Sequence, residues 1–113
     1  MTQVKLIKFE IKPGRKEAWL KWIKELETIK DEVIQTLKKE GITSESCFIS
    51  EDSKYLYYFM ESNDFKKAND FFMNSLDPID KKHKEELNVN LKYINTLENL
   101  FHFSTIDTIK NGN

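Results

Sequence analysis

The first forty residues change from an alternating pattern of apolar and polar positions to a helical pattern. Between Val4 and Ile11 apolar side chains alternate with charged ones, which predicts a β-strand. From Arg15 to about Glu40 apolar residues recur every three or four positions, which predicts one helix of about 25 residues. Gly41 then suits the end of this helix, because glycine adopts a left-handed backbone conformation without strain.

The remaining two-thirds of the chain contains three more strand patterns and two helical ones. Residues 42–50 and 55–61 predict two strands, and the short turn between them predicts an antiparallel hairpin. Helical spacing follows over 65–76 and again over about 78–94. The last strand is predicted over about 98–105.

Short polar residues mark the starts of the two later helical pieces. Asp64 suits an N-cap before the first of them. Asp77 suits an N-cap before the second, with Pro78 at the first helical position, where a missing N–H has no cost. These signals predict a helix interrupted near Asp77.

The order β-α-β-β-α-β predicts an α+β fold of the ferredoxin-like type with a four-stranded antiparallel sheet. Both faces of the strand over 55–61 are largely apolar. The helices cover one face, and the other needs a cover of its own. A second copy of the sheet is the simplest cover, so we expect a homodimer through the sheet face that forms an α/β barrel.

The length of 113 residues fits a single domain over 1–113, with an ordered core over about 4–105 and a frayed C-terminal tail. The net charge is −1 and Arg15 is the only arginine, which argues against a nucleic-acid partner. Cys47 is the only cysteine, so no internal disulfide forms. No signal peptide or membrane span is recognisable, and we expect a cytoplasmic protein without a membrane partner.

Motifs for nucleotides and metals are missing from the sequence. Glycines stand only at positions 14, 41 and 112, which excludes a P-loop and a dinucleotide-binding fingerprint. The two histidines have no tight spacing to other ligands, so no metal site is predicted. We accordingly expect chemistry that needs no cofactor.

His83 and His102 are the only histidines and the first candidates for catalysis. Asp80 lies three residues before His83 on the same predicted helix face, where a carboxylate can orient an imidazole. The alternative for His83 is a surface helix position among lysines. His102 alternates with Phe101 and Phe103, and its alternative is a hydrogen-bonded core histidine.

Carboxylates and aromatic residues supply further candidates. Glu61 shares a strand face with Tyr57, and a carboxylate beside aromatic surface suits acid–base catalysis. Glu45 on the preceding strand is a candidate binding residue. For both glutamates the alternative is an ordinary solvated position.

The first helix supplies three binding candidates. Lys30 falls within the apolar stripe, where a buried lysine can act as a base, although its stem more often lies along apolar surface. Trp19 and Trp22 suit the wall of a pocket, but their spacing is also that of a core stripe.

Several segments together resemble a family of short bacterial proteins of unknown function in the dimeric α/β-barrel superfamily. They are the Lys8–Gly14 strand end, Gly41, Glu45–Phe48, Tyr55–Glu61, Asp77 to His83, and Leu100–Phe103. The resemblance covers about residues 4–104. It implies a pocket between the sheet and the helices in which a few polar residues act, and it implies no single reaction.

The sequence therefore leads to three hypotheses. The first is a small-molecule-binding protein or cofactor-free enzyme, with isomerase- or mutarotase-like proton transfer or cofactor-free monooxygenation by His83, His102, Glu61 and Tyr57. The second is a non-catalytic structural or ligand-sensing dimer. The third is a haem-binding or haem-degrading monooxygenase. Two features argue against it: both tryptophans lie in the first helix, and the first strand contains no asparagine.

Overall fold

The computed structural model describes residues 2–105, which form a four-stranded sheet with four helices packed on one face. In chain order the elements are β1 (Gln3–Ile11), α1 (Lys16–Thr28), α2 (Lys30–Glu40), β2 (Ile42–Ile49), β3 (Tyr55–Ser62), α3 (Phe65–Asn74), α4 (Pro78–Asn90) and β4 (Leu91–Leu97).

The sheet has the strand order β2-β3-β1-β4, and every neighbouring pair is antiparallel. This order and the predicted succession of elements confirm the ferredoxin-like α+β fold, with each helical crossover made of two helices. The register of the strands places three residues side by side across the sheet. Met60 in β3 pairs with Lys5 in β1 on one side and with Glu45 in β2 on the other.

The core lies between the sheet and α1. Trp19 and Trp22 project from α1 and are buried against Leu56 and Tyr58 of β3. Strand alternation sends Leu56 and Tyr58 to the helix-covered face and leaves Tyr57 on the opposite one. Burial of each such large side chain stabilises the fold by roughly 1.5–3 kcal/mol, so this contact fixes α1 on the sheet.

The single long helix predicted over 15–40 is in fact two helices. The chain leaves helical geometry at Ile29, with φ of −121° and ψ of 35°. The Thr28 hydroxyl donates to the Glu25 carbonyl oxygen at 2.6 Å, a local bond that competes with the helix ladder. Two successive β-branched residues, which are weaker helix formers, thus end α1, and α2 restarts at Lys30.

The last strand lies earlier than the predicted range of 98–105. Helix α4 ends at Asn90, and β4 follows at once. Asn90 is fully buried and its amide accepts from Arg15 Nε and donates to Glu86 Oε1, each at 2.9 Å. Its backbone oxygen accepts from the Lys12 amide, which fixes the chain reversal. Residues 98–104 have no regular secondary structure.

The predicted helix boundaries at Asp64, Asp77 and Gly41 are confirmed. The Asp64 carboxylate accepts from the Lys67 backbone amide, and that of Asp77 accepts from the amide of Ile79. Gly41 ends α2 with φ of 85°, in the left-handed region that favours glycine.

The sheet face turned away from the helices carries apolar side chains from neighbouring strands. Phe48 pairs with Tyr57 across β2 and β3, and Leu6 pairs with Phe59 across β1 and β3. Phe48 is 58% exposed. No helix within residues 2–105 has the length and apolar character to cross a membrane. The tail predicted to fray falls mainly on residues 106–113, which lie outside the described residues.

Candidate functional site

A cavity of about 220 Å³ lies between the helix-covered face of the sheet and the helices. This volume is slightly below the range of roughly 300–1,000 Å³ that is typical of small-molecule sites. Its wall is mostly apolar, with side chains that include Ile7, Phe9, Val33, Met60 and Phe72. Six titratable residues from five elements also line it: Lys5, Glu40, Glu45, Tyr58, Asp80 and His83.

Three aromatic side chains form a hydrogen-bonded chain beside the cavity. The Trp22 indole Nε1–H donates to His83 Nδ1 at 2.9 Å. Nδ1 is therefore an acceptor, and in the neutral ring the proton lies on Nε2. Nε2 is 3.4 Å from the Tyr58 hydroxyl oxygen, which can accept from it. Tyr58 thus keeps its own O–H to donate to a molecule in the cavity.

His83 is held neutral by its surroundings. The rings of Trp19, Trp22, Tyr58 and Phe72 all lie with their centroids 5.9–6.3 Å from that of His83. Burial lowers the pKa of His83 to about 4, against the opposing charge of Asp80. The imidazole therefore acts at neutral pH as a fixed hydrogen-bonding link between Trp22 and Tyr58.

A group of carboxyl side chains meets at one end of the cavity. Glu40 ends α2, Glu45 lies on β2, and Asp80 lies in the first turn of α4. Burial, a hydrogen bond to Asp80 and the charge of Asp80 hold the pKa of Glu40 well above its usual range. Burial and then the charge of Asp80 raise the pKa of Glu45 to about 7. At neutral pH this end therefore contains both protonated and ionised carboxyl groups.

The electrostatics of the cavity suit proton transfer. Glu45 is poised to gain or lose a proton near neutral pH, as an efficient general acid or base should be. Burial, followed by the charge of Glu45, raises the pKa of Tyr58 well above its ordinary value, so the phenol stays protonated. Glu40 also stays protonated. One potential base and two potential acids therefore line the same small volume.

The structure separates the residues predicted to be functional into two groups. His83, Asp80 and Glu45 line the cavity. Trp22 does not line it but donates a hydrogen bond to His83. Trp19 is 1% exposed and packs edge-on against Tyr58 at 6.3 Å, as a core residue does.

Glu61, Tyr57 and His102 are not brought to the cavity. Glu61 and Tyr57 lie on the opposite face of β3 by strand alternation. His102 follows β4 outside any strand, with Nε2 3.9 Å from Glu61 Oε2. The hydroxyl of Thr43 donates toward Glu61 Oε1 at 3.0 Å. Glu61, His102 and Thr43 therefore form a second polar group, separate from the cavity.

Lys30 lies at the exposed start of α2. The helix break at Ile29 separates Lys30 from the apolar stripe of α1, so the exposed alternative, and not the buried base, describes this lysine.

Two residues of the cavity were missed from the sequence. Tyr57 and Tyr58 are neighbours on the same strand, so strand alternation places their side chains on opposite faces of the sheet. The sequence pattern does not show which of these faces the helices cover. Glu40 stands three residues after Leu37 at the end of the helical stripe. That spacing was the available signal that its side chain turns inward.

The residues of the cavity do not favour a metal or haem. Within residues 2–105 no three His, Cys, Asp or Glu side chains are grouped so that they suit a metal ion. Haem ligation needs a histidine nitrogen that faces open space, whereas Trp22 occupies Nδ1 of His83 and Tyr58 adjoins Nε2. This geometry argues against His83 as an iron ligand.

The sequence profile of a family of unknown function, DUF6176, matches residues 2–108. The chain belongs to this family. The predicted membership of a family without a known function is thus confirmed. No protein with a curated description shows significant sequence similarity to the chain.

Solved structures with the same fold come from several kinds of protein. L-rhamnose mutarotase of Formosa agariphila has a TM-score of 0.62 at 20% identity, over 90% of this chain and 99% of that one. Tetracenomycin F2 cyclase of Streptomyces glaucescens has a TM-score of 0.59 at 12% identity, over 90% of this chain and 97% of that one. At these identities the likeness establishes the shared ferredoxin-like fold.

Proposed function

We propose that this protein binds a small, largely apolar molecule in the cavity and moves a proton on it without a cofactor. The observation that carries the proposal is the grouping of Glu45, with its pKa near 7, beside two protonated groups in one mostly apolar volume. Titratable groups whose pKa values are driven apart by their surroundings are the usual signature of an acid–base pair.

Glu45 is the base in this proposal. Its side chain lies in the middle of β2 and lines the cavity together with Tyr58. Ionised Glu45 takes a proton from one atom of the bound molecule. Its raised pKa makes it a stronger base than an exposed carboxylate and leaves about half of it ionised at neutral pH.

Tyr58 is the acid or hydrogen-bond donor, and Trp22 and His83 position it. Because the Nε2–H of His83 faces the Tyr58 oxygen, the phenolic hydrogen is free to point at the ligand. Tyr58 or Glu40 then gives a proton to a second atom of the ligand, which completes its isomerisation. Transfer of the proton held by Glu45 back to that donor restores the protein, so there is no net change in protons. A developing negative charge on the ligand would be stabilised by the same hydroxyl.

The neighbouring structures support a cofactor-free reaction of this general class. One is named as a mutarotase and another as a cyclase. Their fold is that of this chain, and the cavity lies on the helix-covered face of that fold. The substrates of those proteins are not transferred to this chain, because the fold alone accommodates many reactions.

We also propose that the protein forms a homodimer through the outer sheet face. Phe48, Tyr57 and Phe59 form an apolar strip there, and Phe48 is largely exposed. An exposed apolar strip on a sheet is a typical self-association surface. The catalytic roles predicted for Tyr57, Glu61 and His102 stay predictions and would now belong to this face.

Base-catalysed ring opening of 5-nitrobenzisoxazole tests the catalytic proposal. This small neutral molecule loses a carbon-bound proton to a base while its N–O bond breaks to give a phenolate. We expect wild-type protein to accelerate the reaction with a rate that rises with pH through about 7. The Glu45→Gln variant should lose the acceleration by roughly 100-fold, the lower range for loss of a general base.

The matched control is Glu61→Gln, which alters a strand carboxylate on the opposite sheet face. It should leave the rate within about twofold of wild type. Equal rates for wild type and Glu45→Gln, or an equal loss in Glu61→Gln, would refute the assignment. Binding of the compound in the cavity without faster ring opening would support the ligand-sensing alternative instead.

A further inference from the structure

The acidic end of the cavity contains a buried carboxylate that no cationic side chain neutralises. Asp80 is 3% exposed; its carboxylate has a hydrogen bond with the protonated Glu40, and no further hydrogen bond to its Oδ2 is formed by the described residues. A buried, unpaired carboxylate oxygen costs about 1–3 kcal/mol or more, so a structure retains it when something else satisfies it. Asp80 lines the cavity, where a ligand can do so.

The charges that surround Asp80 are mainly of its own sign. The charges of Asp80, Glu45 and Asp77 all act on Glu40, so these carboxyl groups lie close together. No lysine or arginine of the described chain forms a salt bridge to Asp80 within 4.0 Å. The partial positive charge of the α4 N-terminus is the favourable field that Asp80 receives.

Three lysines lie in the wider surroundings. Lys84 follows Asp80 by one turn of α4, but its ammonium donates to the Met73 carbonyl oxygen at 3.2 Å. Lys39 lines a separate depression that also reaches Asp80. Lys5 lines the cavity itself, but it lies on β1 while Glu45 lies on β2, with β3 between them. Two strand spacings amount to about 10 Å, so Lys5 leaves the acidic end uncompensated. Its ammonium instead lies 4.6 Å from the centroid of the Phe65 ring.

The remaining wall of the cavity is apolar and indicates the body of the ligand. Leu26, Val33, Leu37 and Leu87 come from three helices, and Ile7 comes from the sheet. A sugar or another polyol would need polar partners on all sides. This cavity instead offers a group of carboxyl side chains at one end and a mostly apolar wall with few polar groups elsewhere, which suits a molecule with one polar end.

We propose that the cavity binds a small amine, with its protonated nitrogen against Asp80 and Glu45 and its apolar body along the helices. The inference rests on the proposed function, because it names the class of molecule for that same site. An ammonium group supplies three N–H donors and a positive charge. One donor satisfies Asp80 Oδ2, and charge-assisted bonds of this kind are about twice as strong as neutral ones.

Binding of a cation here also releases protons. A positive charge beside a carboxyl group favours its ionised form. At neutral pH Glu40 carries a proton and Glu45 carries one part of the time, because of burial and the charge of Asp80. The bound ammonium offsets that charge, so each amine that binds displaces part of a proton or more into solution. A neutral ligand of the same shape displaces none.

Benzylamine and benzyl alcohol form a matched pair of probes for this subsite. They differ only in the ammonium and hydroxyl group. We expect benzylamine to bind at neutral pH with at least about tenfold higher affinity, measured from the shifts of the two tryptophan indole N–H signals. Calorimetry in two buffers of different ionisation enthalpy should show net proton release for benzylamine alone.

The Asp80→Asn variant should lose at least about tenfold in benzylamine affinity and leave benzyl alcohol binding nearly unchanged. Asp70→Asn, an exposed position on α3, is the control. If Asp80→Asn does not fold, the proton release of the wild-type protein still decides the question, because its absence overturns the proposal.

Two other outcomes separate the inference from the proposed function. Benzyl alcohol binding as tightly as benzylamine, with cavity signals shifted, overturns the amine subsite and leaves the cavity as a ligand site. Failure of both probes to shift any cavity signal overturns the amine subsite, and the proposed function is then decided separately by the ring opening of 5-nitrobenzisoxazole.

Discussion

Replacing Glu40 with glutamine should stabilise the fold at neutral pH. In the unfolded chain this carboxyl ionises near its ordinary value of 4.5, whereas in the fold burial and the charge of Asp80 keep it protonated. The folded state therefore binds more protons above pH 4.5, and stability falls as the pH rises toward the folded pKa. Glutamine is neutral in both states, and its N–H can still donate to Asp80.

The size of the effect follows from the pH interval. Each pH unit between the two pKa values changes the free energy of unfolding by about 1.4 kcal/mol. From pH 4.5 to neutral pH the interval is roughly 2.5 units, so the ceiling is about 3 kcal/mol. Relaxation and water in the cavity reduce it, and we expect a gain of about 1–3 kcal/mol for Glu40→Gln at neutral pH.

Urea unfolding at a series of pH values and one fixed protein concentration measures this gain, because the stability of a dimer depends on concentration. Glu85→Gln, an exposed position on α4, is the control and should change the free energy of unfolding by less than about 0.5 kcal/mol. The reasoning is refuted if Glu40→Gln is no more stable than this control at neutral pH, or if its advantage does not shrink toward pH 4.5.

Three further predictions test the fold, the histidine and the dimer. Asn90→Ala removes the two side-chain hydrogen bonds of a fully buried residue and should lower the free energy of unfolding by about 1–3 kcal/mol. Asn88→Ala, at an exposed neighbouring position, should cost less than about 0.5 kcal/mol, and equal effects would contradict the role of Asn90. The NMR signals of His83 should keep their neutral-form positions down to about pH 5, and titration near 6.5 would refute its burial. His83 should also lower the free energy of unfolding as the pH falls from 6.5 toward 4, because the unfolded chain then binds the proton more strongly than the folded one. Phe59→Asp should convert a dimer to a monomer in sedimentation at micromolar concentration, and an unchanged mass would argue against the outer face as the interface.

The sequence predicts the fold well because local signals and topology agree. Alternation over β1 and β3 predicted two strands, and Asp64, Asp77 and Gly41 mark three helix ends at the observed positions. The break at Ile29 was missed, because a stripe of apolar residues continues across it.

The start of β4 was missed for a similar reason. Val89, Leu91 and Ile94 fit either a helix or a strand by spacing alone. Their structure is decided at Asn90, whose side chain bonds to residues distant in sequence, such as Arg15. No local pattern contains that contact.

The candidate site was predicted in part, for reasons of side-chain direction. The shared helix face of Asp80 and His83 placed both at the cavity. Tyr57 was chosen in place of Tyr58 because both faces of β3 are apolar, so alternation does not reveal which face the helices cover. Glu40 resembles a solvated helix end until α2 and α4 pack together and bury it against Asp80.

The central claim is that ligands bind in the helix-covered cavity, and NMR of the protein with labelled tryptophan indoles and methionine methyls tests it most directly. The chain has two tryptophans and three methionines, so the spectrum is simple. Met60 lines the cavity, and Trp22 donates a hydrogen bond to His83, which also lines it. Met73, by contrast, is 60% exposed on α3. We predict that saturating benzylamine shifts the Met60 methyl and Trp22 indole signals and leaves Met73 in place. Unchanged Met60 and Trp22 signals at saturation would contradict the account.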